Sequence, residues 1–351
     1  MNFASDNTAG VAPEILAAIA RANEGFALAY GNDACTARVE RRFAEIFERE
    51  VAVFLVPTGT AANALALAHL APPWGAVLCH AESHIATDEC GAPEFFGSGL
   101  KLVGLHGAAG KITAETLARE LAERQWGGPH HVSPAVLSLS QATEAGTIYR
   151  PHEIRRLAEI AHGRGLAVHM DGARLANALA RMNASPAEAT WKAGVDVLSF
   201  GATKGGALAA EGVLFFDPAR GADMSERRKR GGHLVSKHRF IAAQSEAYLA
   251  GDLWLKLARH ANAMADRLAE GLLRAGLAPV WPVEANELFV LLPRPASERL
   301  KAKGASFYPW TTDSLPAAVK ASPDEILVRL VTSFATTTAE VDEFVAIAHT
   351  S

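Results

Sequence analysis

An acidic and a basic side chain each follow a short apolar segment in the middle of the chain. Asp171 follows Leu166–Met170, and Lys204 follows Val195–Phe200. Both segments are typical of strands buried in a parallel sheet. A lysine can form an imine with the aldehyde of pyridoxal phosphate (PLP), and a carboxylate can keep the pyridinium nitrogen protonated, which makes the ring an electron sink. The pair therefore indicates PLP chemistry, although a surface lysine and a helix-capping aspartate would produce the same two residues.

A small polar turn upstream could bind the phosphate of such a cofactor. A Pro-Thr-Gly-Thr turn follows the apolar run Val51–Val56 and precedes a segment rich in helix-forming residues. Free N–H groups and the helix dipole favour an anion at a helix N-terminus. Gly59 would allow close approach of the backbone, and the hydroxyls of Thr58 and Thr60 could donate to phosphate oxygens. Threonine and glycine also form ordinary helix caps, so the turn gains significance from its place before the acid and the lysine.

The composition predicts a cytoplasmic enzyme with a large hydrophobic core. The chain has 351 residues, 49% of them hydrophobic and 21% charged, with a formal net charge of −4. This charge does not favour nucleic acid or an anionic membrane as a partner. The first residues lack the features of a secretory signal, and no apolar run approaches the length of a membrane span. Cys35, Cys79 and Cys90 are widely spaced, which indicates reduced thiols rather than disulfides or a zinc site.

Short apolar runs alternate with helical stretches over most of the chain. This alternation predicts an α/β fold with a mostly parallel sheet, in which Pro151–Gly163 and Ser185–Ala193 are crossover helices. The predicted strands of this sheet are Val51–Val56, Ala76–Cys79, Leu100–Leu105, Ala135–Leu139, Leu166–Met170, Val195–Phe200 and Gly212–Phe216.

The pattern changes toward the C-terminus, where a long helix precedes two strands and a last helix. We therefore predict a large domain of residues 1–250, which includes the N-terminal arm, and a small α+β domain of residues 251–351. The predicted elements of the small domain are the helix Leu253–Gly276, the strands Glu287–Leu292 and Ile326–Thr332, and a helix from Thr338.

Taken in order, several motifs resemble those of the bacterial low-specificity L-threonine aldolases, PLP enzymes of fold type I, the aspartate-aminotransferase fold. The resemblance extends over nearly the whole chain. The segments that carry it are Phe3–Asn7, Ala29–Asp33, Thr58–Asn63, His84 with Thr87–Phe96, Gln141–Glu144, His169–Arg174 and Phe200–Lys204.

The resemblance implies a set of residues around the cofactor. Lys204 would form the Schiff base, and Asp171 would pair with the pyridine nitrogen. His84 would stack on the cofactor ring and lie near the substrate hydroxyl. The phosphate would be bound by Thr58, Gly59 and Thr60.

The resemblance also implies how the substrate is bound. Ser5, Arg174 and Arg329 would hold the substrate carboxylate, with Arg174 also close to the cofactor. A guanidinium can bind a carboxylate with two parallel hydrogen bonds. Arg329 interrupts an apolar strand, and a buried cation there needs an anionic partner. Tyr30 would reach the site of a neighbouring subunit, so a homodimer or a homotetramer is expected.

The chain departs from the family pattern at two places. Common members of the family carry a Thr-His pair roughly where this chain has Ala142 and Thr143, which leaves His84 as the main imidazole for proton transfer. They also carry an arginine that reaches a phosphate in the partner subunit. Here either Arg230 or Lys237 could take that role.

The implied reaction is retro-aldol cleavage of L-threonine, L-allo-threonine and related β-hydroxy-α-amino acids such as L-phenylserine to glycine and an aldehyde. The base that removes the hydroxyl proton could be His84, acting directly or through water, since an imidazole titrates near neutrality. Asp88 and Glu89 are the other candidates, and Pro93–Phe96 could line the aldehyde side. We expect selectivity for the L configuration at Cα and no metal requirement.

Other interpretations remain open at this stage. A β-eliminating lyase or an aminotransferase would use the same fold and cofactor, and a non-catalytic relative would keep only the fold. His80 and His84 have the spacing of two metal ligands on a helix, but the segment lacks a His-Glu-x-x-His pattern. The basic run Arg227–Arg230 is more typical of an exposed helix face or a phosphate contact than of a nucleic-acid site.

Overall fold

Seven strands form a mixed sheet in the computed structural model, which describes residues 1–313 and 315–349. The strands lie in the order β1-β7-β6-β5-β4-β2-β3. Neighbours from β3 to β6 are parallel, whereas β7 is antiparallel to both β6 and β1. The strands are β1 Ala52–Val56, β2 Gly75–His80, β3 Lys101–Leu105, β4 Ser133–Ser140, β5 Ala167–Gly172, β6 Val197–Gly201 and β7 Glu211–Phe215. The predicted α/β fold with a mostly parallel sheet is confirmed.

The central strands are covered on both faces. Every residue of β2, β5, β6 and β7 is buried, as expected of strands between two layers of helices. The helices before the last long helix are α1 Pro13–Ala22, α2 Ala34–Ile46, α3 Gly59–Leu70, α4 His84–Thr87, α5 Ala92–Phe96, α6 Ala114–Glu123, α7 Pro151–His162, α8 Leu175–Met182, α9 Met224–Arg230 and α10 Arg239–Leu249. The predicted crossover helix at residues 151–163 corresponds to α7, which begins with a proline at its first position.

The predicted helix Ser185–Ala193 is wrong. Only Trp191–Ala193 is helical there, as a short 3₁₀ turn, and the α-helix that follows β5 is α8. The reason is local competition for hydrogen bonds: the Thr190 hydroxyl donates to the Pro186 carbonyl at 2.6 Å, and Thr190 has φ −129° and ψ −104°, outside the helical region. Serine and threonine hydroxyls offer the backbone such alternatives to a helix.

A second, smaller sheet lies in the C-terminal part of the chain. Its order is β8-β10-β9, and both pairings are antiparallel. The elements are α11 Leu253–Arg274, β8 Glu287–Pro293, α12 Arg294–Ala302, β9 Tyr308–Pro309, β10 Glu325–Val331 and α13 Thr338–His349. Leu268, Val290 and Phe344 belong to one buried cluster beneath this sheet, which confirms the predicted α+β character.

The N-terminal residues contact this smaller sheet. Phe3 is fully buried in the same cluster, its N–H donates to the Ser306 carbonyl at 2.8 Å, and its carbonyl accepts from Val331 at 2.9 Å. The predicted division at residue 250, which places the N-terminal arm with the larger part, stays a prediction, and its second range extends beyond the described residues. No helix among residues 1–313 and 315–349 is long and apolar enough to cross a membrane.

Candidate active site

A cavity of about 340 Å³ lies where β4, β5 and β6 end and α3 begins. Ligands of open α/β sheets bind outside the carboxyl ends of the strands. Most residues predicted around the cofactor line this cavity together, although they come from distant parts of the sequence. They are Thr58, Gly59, Thr60, His84, Asp171, Arg174 and Lys204.

Asp171 occupies the end of β5, where two N–H donors hold its carboxylate. Oδ2 accepts from the Asn63 amide at 2.8 Å, and Oδ1 accepts from the Ala173 N–H at 3.0 Å. Asn63 is buried on α3. Because both oxygens accept hydrogen bonds, the carboxylate is held in one orientation at the cavity wall.

Lys204 lies in a tight turn after β6. The Gly205 N–H donates to the Ala202 carbonyl, and the Gly206 N–H donates to the Thr203 carbonyl. A Cβ at Gly205 would stand 2.0 Å from the Tyr248 hydroxyl, so only glycine fits there. Gly206 has φ +120°, which favours glycine as well. The turn therefore positions the lysine with two glycines that no larger residue could replace without displacement.

The first turn of α3 forms one end of the cavity. Thr58 is the N-cap, and its hydroxyl oxygen accepts from the Ala61 N–H at 3.1 Å. The N–H groups of Gly59 and Thr60 are at the start of the helix, where no carbonyl of an earlier turn is available to them. This geometry suits a phosphate group, because the free N–H groups and the helix dipole both favour an anion.

His84, the first residue of α4, is joined to Asp171 by a short polar chain. His84 Nδ1 lies 2.9 Å from Glu89 Oε1, and the Asn63 amide, which contacts Asp171, also donates to Glu89 Oε1 at 2.8 Å. The hydrogen bond to Glu89 raises the pKa of His84, against the opposing effect of burial. Burial in turn raises the pKa of Glu89. With Nδ1 donating to Glu89, Nε2 is the ring nitrogen left to exchange a proton.

The other candidate bases and ligands are placed differently. Glu89 lines the cavity, whereas Asp88 is not among its lining residues. His80 Nε2 contacts the Gly107 carbonyl at 3.1 Å, so His80 and His84 have separate partners. Within the described residues, no group of three or more His, Cys, Asp or Glu side chains could hold a metal ion.

Three buried charged side chains, Asp6, Arg174 and Glu287, form a cluster beside the cavity with the partly buried Arg329. Arg174 binds Asp6 through Nε at 2.8 Å and Nη2 at 3.1 Å. Its Nη1 lies 3.5 Å from Glu287, and Arg329 Nε approaches the same carboxylate at 3.6 Å. Burial alone would raise the pKa of Asp6, but Arg174 and Lys204 lower it below its usual value. Burial raises the pKa of Glu287 despite the two arginines.

Several predicted site residues do not line the cavity of this chain: Ser5, Tyr30, Arg230, Lys237 and Arg329. Ser5 caps a short 3₁₀ turn by accepting from the Asn7 N–H at 3.1 Å. Tyr30 is 47% exposed, and its ring lies 4.7 Å from Lys229 Nζ. Arg230 lines a separate cavity together with Phe95 and Phe96.

The sequence analysis missed several polar residues of the site, among them Asp6, Asn63, Glu144, Glu211 and Glu287. All but Asp6 and Glu287 line the cavity. For two of these residues the sequence did contain a signal. Asn63 is the polar residue in the apolar segment Ala61–Ala68, and Glu211 begins the apolar run of β7, so both are buried polar groups that need partners.

The comparisons with known proteins agree on one family. A sequence model of the beta-eliminating lyase family matches residues 2–294. The low specificity L-threonine aldolase of Pseudomonas aeruginosa is 46% identical over 307 residues, which is 87% of this chain and 88% of that protein. The low specificity L-threonine aldolase of Saccharomyces cerevisiae is 24% identical over 82% of this chain and 73% of its own length.

The solved structures give the same result. The threonine aldolase of Leishmania major superposes with a TM-score of 0.91 and 29% identity, covering 99% of this chain and 98% of that one. The serine palmitoyltransferase of Sphingomonas wittichii, with a TM-score of 0.71 and 17% identity over 99% of this chain and 86% of that one, shares the fold. With sequence and structure in agreement over most of its length, this chain belongs to the beta-eliminating lyase family, among the PLP-dependent lyases of the threonine aldolase type.

Proposed function

We propose that this protein cleaves L-threonine, L-allo-threonine and related β-hydroxy-α-amino acids, such as L-phenylserine, to glycine and an aldehyde. The observation that carries the proposal is the single cavity that Lys204, Asp171 and His84 share. A reactive amine, a fixed carboxylate and an imidazole are the three groups that such a cleavage needs. The likeness to a Pseudomonas aeruginosa protein named low specificity L-threonine aldolase supports the same activity.

The residues present fit the cofactor. The first turn of α3 suits its phosphate, and Asp171, whose two oxygens are held by N–H donors, suits its protonated ring nitrogen. Lys204 supplies the amine that attaches it. When bound, PLP supplies an electron sink for the pair of electrons left when the Cα–Cβ bond breaks. Thr58, Gly59 and Thr60 would hold the phosphate.

His84 would take the proton of the substrate hydroxyl through Nε2. Its Nδ1 is occupied by Glu89, which fixes the orientation of the ring. A base must be unprotonated to act, so activity should fall as the pH drops through the pKa of His84. Since Glu89 raises that pKa, it should place the fall at a higher pH than an isolated imidazole would.

The arginine cluster would bind the substrate carboxylate. Arg174 lines the cavity directly, and Arg329 of β10 approaches the same Glu287 carboxylate as Arg174. Arg329 also stacks against Trp310, with 4.8 Å between the guanidinium carbon and the ring centroid. Two guanidinium groups that converge on one point can hold a carboxylate in a fixed orientation. Ser5 would contribute a hydroxyl from the N-terminal arm.

We also propose that a second subunit completes the site in a homodimer or homotetramer. Tyr30 and both candidate cations, Arg230 and Lys237, lie outside the cavity of their own chain. The side chains of Phe26 and Leu28 beside Tyr30 are highly exposed, and apolar groups exposed together are typical of an interface. A cytoplasmic location would suit such an assembly.

The test is aldehyde release from L-threonine, L-allo-threonine and L-phenylserine, with the D isomers as controls. We expect glycine and aldehyde in equal amounts from the L isomers, unchanged after exhaustive chelation of metals. Ammonia and a keto acid without glycine would identify a β-eliminating lyase. Conversion of the cofactor to its amine form with a keto-acid product would identify an aminotransferase. A purified protein without the visible absorbance of lysine-bound cofactor would point to a non-catalytic relative.

A further inference from the structure

Glu211 stands between the two chain segments that meet the cofactor. It is the first residue of β7, and its Cα pairs with Val56 of β1 on one side and Gly201 of β6 on the other. Val56 directly precedes the turn that begins α3, and Gly201 directly precedes the turn that carries Lys204. The sheet register therefore places a carboxyl group between the phosphate end of the cavity and the reactive lysine.

The carboxyl group of Glu211 faces the start of α3. Oε1 accepts from the Thr203 N–H at 3.2 Å, and Oε2 lies 4.0 Å from the position that a Cβ on Gly59 would occupy. The residue is 7% exposed and lines the cavity. Glu211 is thus a buried carboxyl group that borders both the cavity and the N-terminus of α3.

The surroundings of Glu211 favour its neutral form. The pKa of Glu211 is raised to about 7, and burial is the largest cause. The hydrogen bonds with Thr203 and the charge of Lys204 oppose this rise, and the charge of Asp171 adds to it. Tyr248 faces it from α10 and is also buried. β1 has no titratable side chain. The polar side chains at the N-terminus of α3 are the amide of Asn63 and the hydroxyls of Thr58 and Thr60. Lys204 is the cation whose charge opposes the rise in the pKa of Glu211.

We propose that Glu211 contacts the cofactor phosphate as a neutral acid and donates a hydrogen bond to it, so that cofactor binding weakens as the pH rises. An ionised carboxyl group beside a dianionic phosphate would repel it, whereas a protonated one is a donor in the same place. Cofactor and proton would therefore each favour the binding of the other, as linkage requires. The proposal rests on the placement of the phosphate at α3 in the proposed function.

A different role for the same carboxyl group predicts a different result. An ionised Glu211 could instead pair with the Lys204 ammonium and compete with attachment of the cofactor aldehyde. That competition would affect pyridoxal, which has the aldehyde but no phosphate, as much as PLP. A comparison of the two ligands therefore separates an action on the phosphate from an action on the lysine.

The experiment measures the dissociation constants of PLP and pyridoxal for the cofactor-free wild type and the Glu211→Gln variant from pH 6 to pH 9. The amide keeps the shape and a donor but cannot ionise. We expect the ratio of the PLP dissociation constants, wild type over variant, to be near one at low pH and to rise by up to about tenfold per pH unit above neutrality. The same ratio for pyridoxal should stay constant. A Glu246→Gln variant, which changes a carboxylate paired with Arg38 outside the cavity, should follow the wild type.

A flat PLP ratio, or an equal rise with pyridoxal, would overturn the proposal. A second measurement needs no variant: calorimetry in buffers of different ionisation enthalpy should show that wild-type protein takes up close to one more proton with PLP than with pyridoxal at pH 8, where free PLP phosphate is already dianionic. Equal proton uptake would reject it. If neither aldehyde release nor visible absorbance of lysine-bound cofactor occurs, the proposed function fails; if both occur and the ratio is flat, only the role of Glu211 fails.

Discussion

Two polar clusters beside the same cavity are built in different ways. The first, which we call the reaction side, consists of Asp171, Asn63, Glu89 and His84. Its three contacts are 2.8–2.9 Å long, and Asn63 takes part in two of them. Two buried oxygens of this cluster, Glu89 Oε2 and Asn63 Oδ1, have no hydrogen-bond partner within the described residues.

The second, which we call the anchoring side, consists of Arg174, Asp6, Glu287 and Arg329. Only the Arg174–Asp6 pair has short contacts, and both arginines approach Glu287 at 3.5–3.6 Å. Neither oxygen of Glu287 nor Nε of Arg329 has a hydrogen-bond partner in the described part of the chain. Buried charges are usually paired and hydrogen-bonded, so Nε of Arg329 is a donor left available in this cluster, whereas the Glu287 oxygens need donors. The reaction side is therefore held by short hydrogen bonds throughout, whereas the anchoring side keeps loose contacts and a cationic donor that is free within the described residues.

The largest effect should come from removing the amine that both clusters serve. We expect Lys204→Ala to lose the visible absorbance of attached cofactor, borohydride labelling of the protein and at least about 10³-fold in kcat, as when a covalent catalyst is deleted. Lys192→Ala, which alters a lysine paired with Glu48 away from the cavity, is the control. Wild-type labelling that maps to Lys101, Lys192 or Lys237 would overturn the assignment.

The next largest effect should come from the reaction side. Asp171→Asn should keep the cofactor attached but lower kcat by about 10²-fold or more, because a preorganised charge at the reacting system is removed. The absorbance spectrum reports attachment, and kcat reports turnover. Unchanged kcat would show that the carboxylate only positions Asn63 and Ala173.

The anchoring side should respond in substrate binding rather than in the spectrum. Arg174→Ala or Arg329→Ala should cost about 2–5 kcal/mol in kcat/KM, because the bound substrate carboxylate would be left without one of its cationic partners. Arg267→Ala, which removes an exposed ion pair with Asp342, is the matched control and should change little. If Arg329→Ala retains wild-type kcat and KM for L-threonine, Arg329 does not bind the carboxylate.

The smallest effect should be a shift in pH dependence. In Glu89→Gln, His84 loses the carboxylate whose hydrogen bond raises its pKa. The unprotonated imidazole then persists to lower pH, so the acid limb of the kcat profile should move to lower pH. The loss of kcat at the optimum should stay below the roughly 10²-fold expected from removing a general base. Glu82→Gln, a neighbouring carboxylate outside the cavity lining, should leave the limb in place.

The sequence was sufficient for the parts of the site that follow strands. Asp171, Lys204 and the turn before α3 were identified because apolar runs mark buried strands and ligand sites lie just beyond them. Asp6 and Glu287 were not identified, because their partners are distant in the chain and no local pattern connects them, and the signal at Asn63 does not reveal its partners. The predicted helix at residues 185–193 failed where a threonine hydroxyl competes with the backbone. The anchoring roles of Ser5 and Arg329 came from the family resemblance and stay predictions.

The backbone pairing of Phe3 with Ser306 and Val331 means that the N-terminal arm can be completely paired only after Val331 has been synthesised. The residues of the reaction side have all been synthesised once Asp171 has been added. The anchoring side joins Asp6, Arg174, Glu287 and Arg329, so it can form only after Arg329 has been added. Contacts between such distant residues close slowly during folding. A nascent chain therefore holds the residues for the cofactor before it can bind the carboxylate of a substrate.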